Sequence, residues 1–570
     1  MTVSLMIRRQ RWGGGAPILW LLAFVLIGLP LLLVLGQAAF PRLFDPVAPS
    51  FEPTLGALSR LVSSPRLLNG VVNTVLLGIV GAVTSTALGT VLALVLTVTD
   101  IRLRKLWLAL PWLVFATPSY LKGLAWVLLM SQGGYLVYLG VLSPERASAF
   151  FGPPGLLMVM AFALFPVPYF IVRSRLQGLG GEFIDAARMA SARPWQTIRR
   201  IVAPMLLPAI GLSLLTTFAE IVGDFGMANT IARSMNFSLL TYNIYAATAS
   251  FPVDFAAAGA QALLLVVLVS GSVVAAALGG AQKETRFVSG RNRRLVRYGL
   301  GKWQPIALGC MIIFALGAAI LPLLAIVVRA FTVSLSDALS PDNFSLAAMR
   351  TVFDISSAAG QALVWSFVYA FLAAVVAVTF AIMFAYRISL ASRTTRLVSA
   401  GLAMVTVAIP GIILAFGYIL VYNRLFGFRD LGLYGSRTLL VIGYAAAALP
   451  YCLIFLWAAL DRLGPSLGEA ARLSGAGPMQ HLRRVVMPLT RRAIVVAFGV
   501  TMVRSVFELP MSQFLMPRSG PALPALIVND FTQDRDAVAC AMALVALVVV
   551  GVVAGIALLF RKCKLMETAS

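Results

Sequence analysis

Charged residues are scarce in this sequence of 570 residues, of which only 12% are charged and 60% are hydrophobic. Soluble domains carry about 25% charged residues. A soluble fold could not cover so much apolar surface, so lipid must surround most of the chain. The apolar runs are continuous rather than alternating, which excludes a transmembrane barrel. The composition therefore predicts an all-α membrane protein.

Groups that carry catalytic or metal chemistry are also few. The sequence has one histidine, His481, and four cysteines whose spacing fits neither a metal site nor a disulfide framework. A lone histidine cannot build a metal site, so we expect no metal, no cofactor, and a surface or interface position for His481. The phosphate-binding pattern GxxxxGKS/T is absent. We therefore expect neither ATP hydrolysis by this chain nor any other enzymatic activity.

Twelve apolar runs are long enough to cross a bilayer, which takes about 20 helical residues. The first run follows Arg8, Arg9 and Arg11, and we expect it to be a retained helix rather than a signal peptide. The runs are 17–36, 71–97, 106–130, 153–172, 201–222, 256–279, 304–328, 361–386, 397–422, 438–460, 493–512 and 538–560.

The basic residues predict the orientation of these runs. With the N-terminus in the cytoplasm and the runs alternating, 31 of the 45 Lys and Arg residues and seven of the 21 acids are cytoplasmic. That side then carries the whole net charge of +24, as the positive-inside rule requires. We expect a multi-pass protein with both termini in the cytoplasm and with membrane lipid as its surroundings. Basic residues spread over short loops form no nucleic-acid-binding domain, so no nucleic acid partner is expected.

The sequence contains two copies of one plan. PVPYFIVRSRLQGLGGEFIDAAR (166–188) aligns with PYCLIFLWAALDRLGPSLGEAAR (450–472), and ATPSYLKGLAW (116–126) aligns with AIPGIILAFGY (408–418). Each copy has six runs, an even number, so both copies enter the membrane from the same side as parallel repeats. The expected parts are a first half over 1–280 with its core at 69–279, a cytoplasmic linker over 281–303, and a second half over 304–570 with its core at 360–560.

One polar segment is repeated with particular fidelity. FIDAARMASARPWQTIRRIVAP (183–204) and LGEAARLSGAGPMQHLRRVVMP (467–488) match at 10 of 22 positions. They fall in predicted cytoplasmic loops over 176–204 and 460–488. A proline near the middle of each copy predicts two short helices that meet at a corner. An interfacial helix with its arginines among lipid headgroups would explain one copy, but not the repetition.

The segment resembles the EAA loop of the inner-membrane permeases of binding-protein-dependent ABC importers, whose pattern is Glu-Ala-Ala, three residues, then Gly. The second copy matches throughout, whereas the first has Asp185 for Glu and Ser191 for Gly. The resemblance implies a type I importer fold in a bacterial inner membrane, a periplasmic solute-binding protein, and two loops that dock the two subunits of an ABC ATPase homodimer. The docking residues that it implies are Asp185, Ala186, Ala187, Ser191 and Ala192 in the first loop, and Glu469, Ala470, Ala471, Gly475 and Ala476 in the second.

The similarity extends to the class of solute. EIVGDFGMANTI (220–231) and VFELPMSQFLMP (506–517) resemble segments of fused permeases of the ferric-iron importer group. The resemblance implies ferric iron as the solute. Transport of phosphonate, thiamine or polyamine by the same machinery stays open, as does a secondary transporter that needs no ATPase.

Charged residues near the end of the fifth run of each half are candidates for the translocation pathway. Alignment of the halves pairs Glu220 with Arg504 and Asp224 with Glu508, one helical turn apart. Charges at membrane depth usually face a protein interior or a water-filled path. The alternative is a local Arg504–Glu508 salt bridge, with the two first-half acids among the outer headgroups. Lys122, which follows a proline, either lines the passage or extends to the outer surface.

Overall fold

The computed structural model describes residues 16–44, 50–178, 185, 187, 189–235, 237–281, 297–335, 337, 340–407, 409–423 and 432–567. Over these residues the regular structure is helical, and the β-structure consists of two isolated β-bridges. The N-terminal arginines, Ala186 and most of the predicted linker lie outside the described residues.

The helices follow one another in two similar series. Those of the first half are α1 Pro17–Ala39, α2 Gly56–Ser63, α3 Pro65–Val98, α4 Arg104–Ala116, α5 Ser119–Met130, α6 Pro144–Phe150, α7 Pro153–Leu164, α8 Pro166–Gly178, α9 Pro194–Gly223, α10 225–232, α11 Leu240–Ala249 and α12 Phe255–Ala281. Those of the second half are α13 Gly301–Ala330, α14 Ala347–Phe353, α15 Ala358–Ser389, α16 Arg393–Val407, α17 Gly411–Asn423, α18 Arg437–Asp461, α19 Pro465–Leu473, α20 Pro478–Val506, α21 Leu509–Phe514, α22 Leu523–Thr532 and α23 Asp536–Glu567.

The number of spans differs from the twelve predicted runs. In the described part of the chain, nine helices are long and apolar enough to cross a membrane, or eleven if each of two bent pairs counts as one span. The bends are 101° after α4 and 68° between α6 and α7. Pro118 separates α4 from α5, and Pro410 separates α16 from α17. Proline lacks an N–H donor and disfavours helical dihedrals in the residue before it, so a helix ends there.

The repeat extends to irregular helical turns. Each half has a π-helical turn in its first helix and another at the start of its fifth span. In every case the residue before a proline donates its N–H to the carbonyl five residues earlier. The proline removes the next N–H donor of the helix, and the wider turn accommodates the gap. These turns are Phe24–Gly28 and Leu316–Ile320 in the first helices, and Ile198–Val202 and Leu482–Val486 in the fifth spans.

The first helix of each half packs on the opposite half. Helix α1 packs against α17, and α13 packs against α5. The Tyr418 hydroxyl donates to the Leu26 carbonyl at 3.0 Å. A Cβ added at Gly417 would lie 2.6 Å from the Pro30 carbonyl oxygen, so glycine is required for this close approach. Each first helix also packs on its own half, α1 on α12 and α13 on α23, so the two first helices bridge the halves.

The centre of each half is one long helix. Helix α15 packs against α18 and α20, and α3 packs in the same way against α8 and α9. Small side chains let transmembrane helices approach closely. The buried face of α15 is rich in alanine, at Ala370, Ala373, Ala374, Ala377 and Ala381. This packing holds α9 and α20, which carry the candidate site, against rigid supports.

Candidate functional site

The two repeated loops have the same backbone. The Ala192 N–H donates to the Ala187 carbonyl at 3.0 Å, and the Ala476 N–H donates to the Ala471 carbonyl at 3.0 Å. Each bond ends the first helix of its loop. The residue just before the donor has a left-handed backbone conformation. That residue is Ser191 in the first loop, with φ of 57°, and Gly475 in the second, with φ of 70°.

The corner that follows is also the same in both loops. The Gln196 side-chain oxygen accepts the Arg193 N–H at 3.1 Å, and the Gln480 oxygen accepts the Gly477 N–H at 3.2 Å. A proline occupies the first position of the next helix in both copies, where its missing N–H costs nothing. The repeated Gln and Pro are thus explained by helix capping rather than by contact with a partner.

The predicted docking residues differ in exposure. Glu469, Ala470 and Gly475 are exposed, and Asp185 is half-buried. Ala187 is buried. Ser191 is exposed, and Ala192, Ala471 and Ala476 are half-buried.

Four large apolar side chains project from the loops, and the sequence analysis did not single them out. Met189 and Leu473 occupy equivalent positions and are 83% and 81% exposed. Trp195 and Met479 form a second equivalent pair, 68% and 55% exposed. The sequence signal for them is that both copies of an otherwise polar segment have an apolar residue at these positions. We call these four residues the apolar pairs.

The second loop is tied to the central helix of its half. The Nδ1 atom of His481 lies 2.8 Å from the Tyr386 hydroxyl, and that hydroxyl donates to the Pro478 carbonyl at 3.2 Å. His481 is buried, so its expected surface or interface position is wrong. The first loop has Thr197 at this position, and its hydroxyl donates to the Arg193 carbonyl within the loop.

Substitution of the left-handed residue in each loop tests the backbone conformation of the loops. A non-glycine residue in this conformation costs roughly 1–2 kcal/mol. Exchange of Ser191 for Gly should therefore raise the melting temperature of the purified protein, and exchange of Gly475 for Ser should lower it. No atom lies within 4 Å of a Cβ built at Gly475, so a steric clash would not contribute. Equal melting temperatures for both variants would contradict the conformational argument.

The fifth spans α9 and α20 place two opposite charges at equivalent positions. The Glu220 and Arg504 side chains are both exposed, and they lie within electrostatic range of each other across the two halves. The Arg504 guanidinium also lies over the Tyr451 ring, 3.9 Å from its centroid, a favourable cation–π arrangement. The alternative Arg504–Glu508 salt bridge is not formed. The ion pairs among the described residues are Arg60–Asp254, Arg329–Asp536, Arg396–Asp461 and Arg535–Asp530.

Asp224 and Glu508 cap the short helices that follow the fifth spans. An Asp224 carboxylate oxygen accepts the Met227 N–H at 2.7 Å, and a Glu508 oxygen accepts the Met511 N–H at 2.7 Å. Each carboxylate therefore satisfies an N-terminal donor of α10 or α21. The two acids have a structural role whether or not a solute meets them.

The proline corners of the broken helices meet these caps. A Cβ built at Gly411 would lie 3.2 Å from a Glu508 carboxylate oxygen, and one built at Gly223 would lie 3.3 Å from the Pro410 ring. In the first half, a Cβ at Gly226 would lie 2.3 Å from the Ser119 hydroxyl. The corners and the caps thus surround the junction between the two halves.

Lys122 is buried behind its corner, so it does not extend to the outer surface. Its ammonium group donates to the Ala163 carbonyl at 3.2 Å. It lines a cavity between the corner and α13, beside Thr117, Pro322 and Ile326. Asp224 lies within electrostatic range and provides a counter-charge.

The buried Lys122 ammonium group predicts that two similar substitutions, one at Asp224 and one at Glu508, have unequal effects on stability. Asp224→Asn keeps a capping oxygen but leaves the Lys122 ammonium buried without its counter-charge. We expect a loss of about 1–3 kcal/mol of stability. Adding Lys122→Leu, which introduces the residue found at the equivalent Leu414, should restore the melting temperature. Glu508→Gln, which strands no buried cation, is the matched control and should change little; an equal loss would contradict the assignment.

A metal site is not formed by the described residues. No group of three or more His, Cys, Asp or Glu side chains in these ranges could hold a metal ion. The candidate sites are therefore two surface loops at one end of α9 and α20, and a set of isolated charges and helix caps at the other end.

The sequence of this chain is similar to those of known transport proteins. Residues 85–283 and 377–562 each match the family described as binding-protein-dependent transport system inner membrane component. The probable ABC transporter permease protein y4fN of Sinorhizobium fredii is 27% identical over 418 residues, covering 70% of each chain. The ferric transport system permease protein FbpB of Actinobacillus pleuropneumoniae is 24% identical over 510 residues, covering 87% of this chain and 70% of that protein. The sulfate transport system permease protein CysW of Escherichia coli is 26% identical over 189 residues, covering 33% of this chain and 63% of that protein.

The family match confirms the predicted class of protein. The two matched segments together cover more than half of the chain, and they fall in its two halves. The relatives are permease subunits rather than enzymes, and ATP is hydrolysed by a separate subunit. The chain belongs to the family of inner membrane components of binding-protein-dependent transport systems, as an ABC importer permease with two permease units fused in one polypeptide.

Proposed function

We propose that this permease carries a solute, released by a periplasmic binding protein, between its two halves into the cytoplasm by alternating access. The observation that carries the proposal is the pair of loops with the same backbone bonds and the same exposed apolar pairs. Two matching surfaces on one chain suit two copies of one partner. The partner is a homodimer of ABC ATPase subunits, one subunit on each loop.

The orientation follows from this assignment. The docked ATPase is cytoplasmic, so the loop end of α9 and α20 faces the cytoplasm and their far end faces the periplasm. At the far end the halves meet through α10 and α21. This contact supports a resting state that is closed to the periplasm.

Ferric iron is the solute that the similarities favour. Two ferric transport permeases named FbpB align over 87% and 80% of this chain. The described residues form no metal-binding cluster, so iron would pass the permease without a fixed site of its own. Exposed Glu220 would attract a cation on the cytoplasmic side of the helix caps.

Reconstitution tests the proposal. The chain should copurify from its native membrane with an ABC ATPase, and the complex in proteoliposomes should import radioactive ferric iron when ATP and the binding protein are supplied. Import that is independent of ATP would contradict the ATP-driven mechanism. Import of sulfate but not iron under the same conditions would overturn the choice of solute while leaving the mechanism in place.

A further inference from the structure

A side-chain hydrogen bond joins the two halves at the far end. The Gln513 amide nitrogen on α21 donates to the Tyr245 hydroxyl on α11 at 2.9 Å. The same nitrogen donates its other proton to the Asn529 side-chain oxygen on α22 at 3.2 Å. One glutamine of the second half thus connects a tyrosine of the first half with an asparagine of its own half.

The Tyr245 ring contacts aromatic rings from both halves. Its centroid lies 5.5 Å from that of Phe514 in the second half, in an edge-to-face arrangement. In the first half, the Phe225 centroid lies at 5.4 Å. Edge-to-face pairs contribute beyond the area that they bury. The ring contact and the hydrogen bond therefore act at the same point of the interface.

The internal repeat shows that these residues belong to a symmetric set. The offset of 284 residues that relates the two loops also pairs Asn229 with Gln513 and Tyr245 with Asn529. Gln513 forms its bonds, whereas the amide of Asn229 is 1% exposed and has no hydrogen-bond partner for either polar atom. The Gln513 side-chain oxygen also has none. A buried polar group without a partner destabilises the state in which it is buried.

The contacts that close the far end are opposed by unsatisfied polar groups. The closed state is stabilised by packing of α10 on α21 and of α11 on α17, by the Gln513–Tyr245 bond and by the Tyr245–Phe514 ring contact. It is destabilised by buried amide atoms that water or solute could satisfy. A ligand can shift the population from one state to another when the two states differ little in free energy. We propose that Asn229, Tyr245, Gln513 and Asn529 form a latch that closes the periplasmic end of the passage and opens when the binding protein docks. The latch rests on the proposed function.

Removal of one hydroxyl tests the latch. In proteoliposomes that contain the permease and its ATPase but no binding protein, Tyr245→Phe should raise the basal ATPase rate by roughly two- to tenfold, the equivalent of one hydrogen bond. The far end would then open without the docking signal. Gln513→Leu should give a similar increase. The two changes together should add little, because they remove the same bond.

Tyr242 provides the matched control. It lies on the same helix, and its ring centroid is 6.5 Å from that of Tyr245, but no hydrogen bond joins it to the second half in the described structure. Tyr242→Phe should leave the basal ATPase rate unchanged. An unchanged rate in Tyr245→Phe and Gln513→Leu, or an equal rise in Tyr242→Phe, would overturn the latch.

Melting temperatures and assays of the wild-type protein distinguish loss of the latch from a general loss of stability or of function. The Tyr245→Phe and Tyr242→Phe variants should have similar melting temperatures, since each substitution keeps the ring and its packing. If Tyr245→Phe fails to assemble, Gln513→Leu alone decides the question. If the proposed function is wrong, the wild-type permease itself will bind no ATPase or will import no solute.

Discussion

Replacement of Leu473 and Met479 by Asp should release the ATPase subunit from the second loop and abolish ATP-driven import. Both side chains are exposed in the isolated chain, and burial of each against a partner would contribute roughly 1.5–3 kcal/mol. Their loss should weaken docking by more than about 100-fold. The measurement is the affinity of the purified permease for its ATPase, followed by import in proteoliposomes.

The other loop and an exposed leucine elsewhere complete this experiment. Asp at Met189 and Trp195 should produce the same defect, because these residues occupy the equivalent positions of the first loop. Leu103 is 66% exposed on the connection between α3 and α4, and Leu103→Asp should leave docking intact. Full ATPase binding by both double variants would exclude the apolar pairs from the interface.

Charge reversal on the fifth spans should block import while sparing the ATPase. Glu220→Arg would place a second cation within electrostatic range of Arg504, and Arg504→Glu would place a second anion near Glu220. Repulsion of this kind at a partly hydrated site should slow import by roughly tenfold or more. The exchange of both charges restores an opposite pair, and import should recover in part.

The exposed Arg396–Asp461 ion pair is the control for this reversal. Its side chains are 42% and 47% exposed, and such a pair contributes little to stability. Arg396→Glu should therefore import solute at the normal rate. Normal import by Glu220→Arg and Arg504→Glu would show that these two charges have no part in the passage.

The internal repeat was the most informative feature of the sequence. It predicted two equivalent loops and equivalent charges at Glu220 and Arg504, and the family and fold class that it indicated are confirmed. The equivalence also extends to backbone detail, since Ser191 and Gly475 share a left-handed conformation. An alignment of the two halves could have found the apolar pairs as well, because they keep their apolar character within polar segments.

Contacts between distant segments could not be predicted in this way. Buried Lys122 shares a cavity with α13 of the other half, and no local pattern indicates that a first helix bridges the halves. Buried His481 bonds to Tyr386, which is 95 residues away. Asp224 and Glu508 were predicted to line a passage; the helix break at each one also makes them caps, a role that the sequence analysis did not anticipate. The docking and pathway roles assigned to these loops and charges stay predictions.

The bridging first helices also bear on how the protein is made. Leu26 and Tyr418, which bond to each other, are 392 residues apart. At 5–20 residues per second, the ribosome needs roughly 20 to 80 s to synthesise the second partner after the first. During that interval the Pro30 surface of α1 is not covered by α17. We therefore expect an insertion intermediate in which lipid covers this surface until Gly417 packs on it.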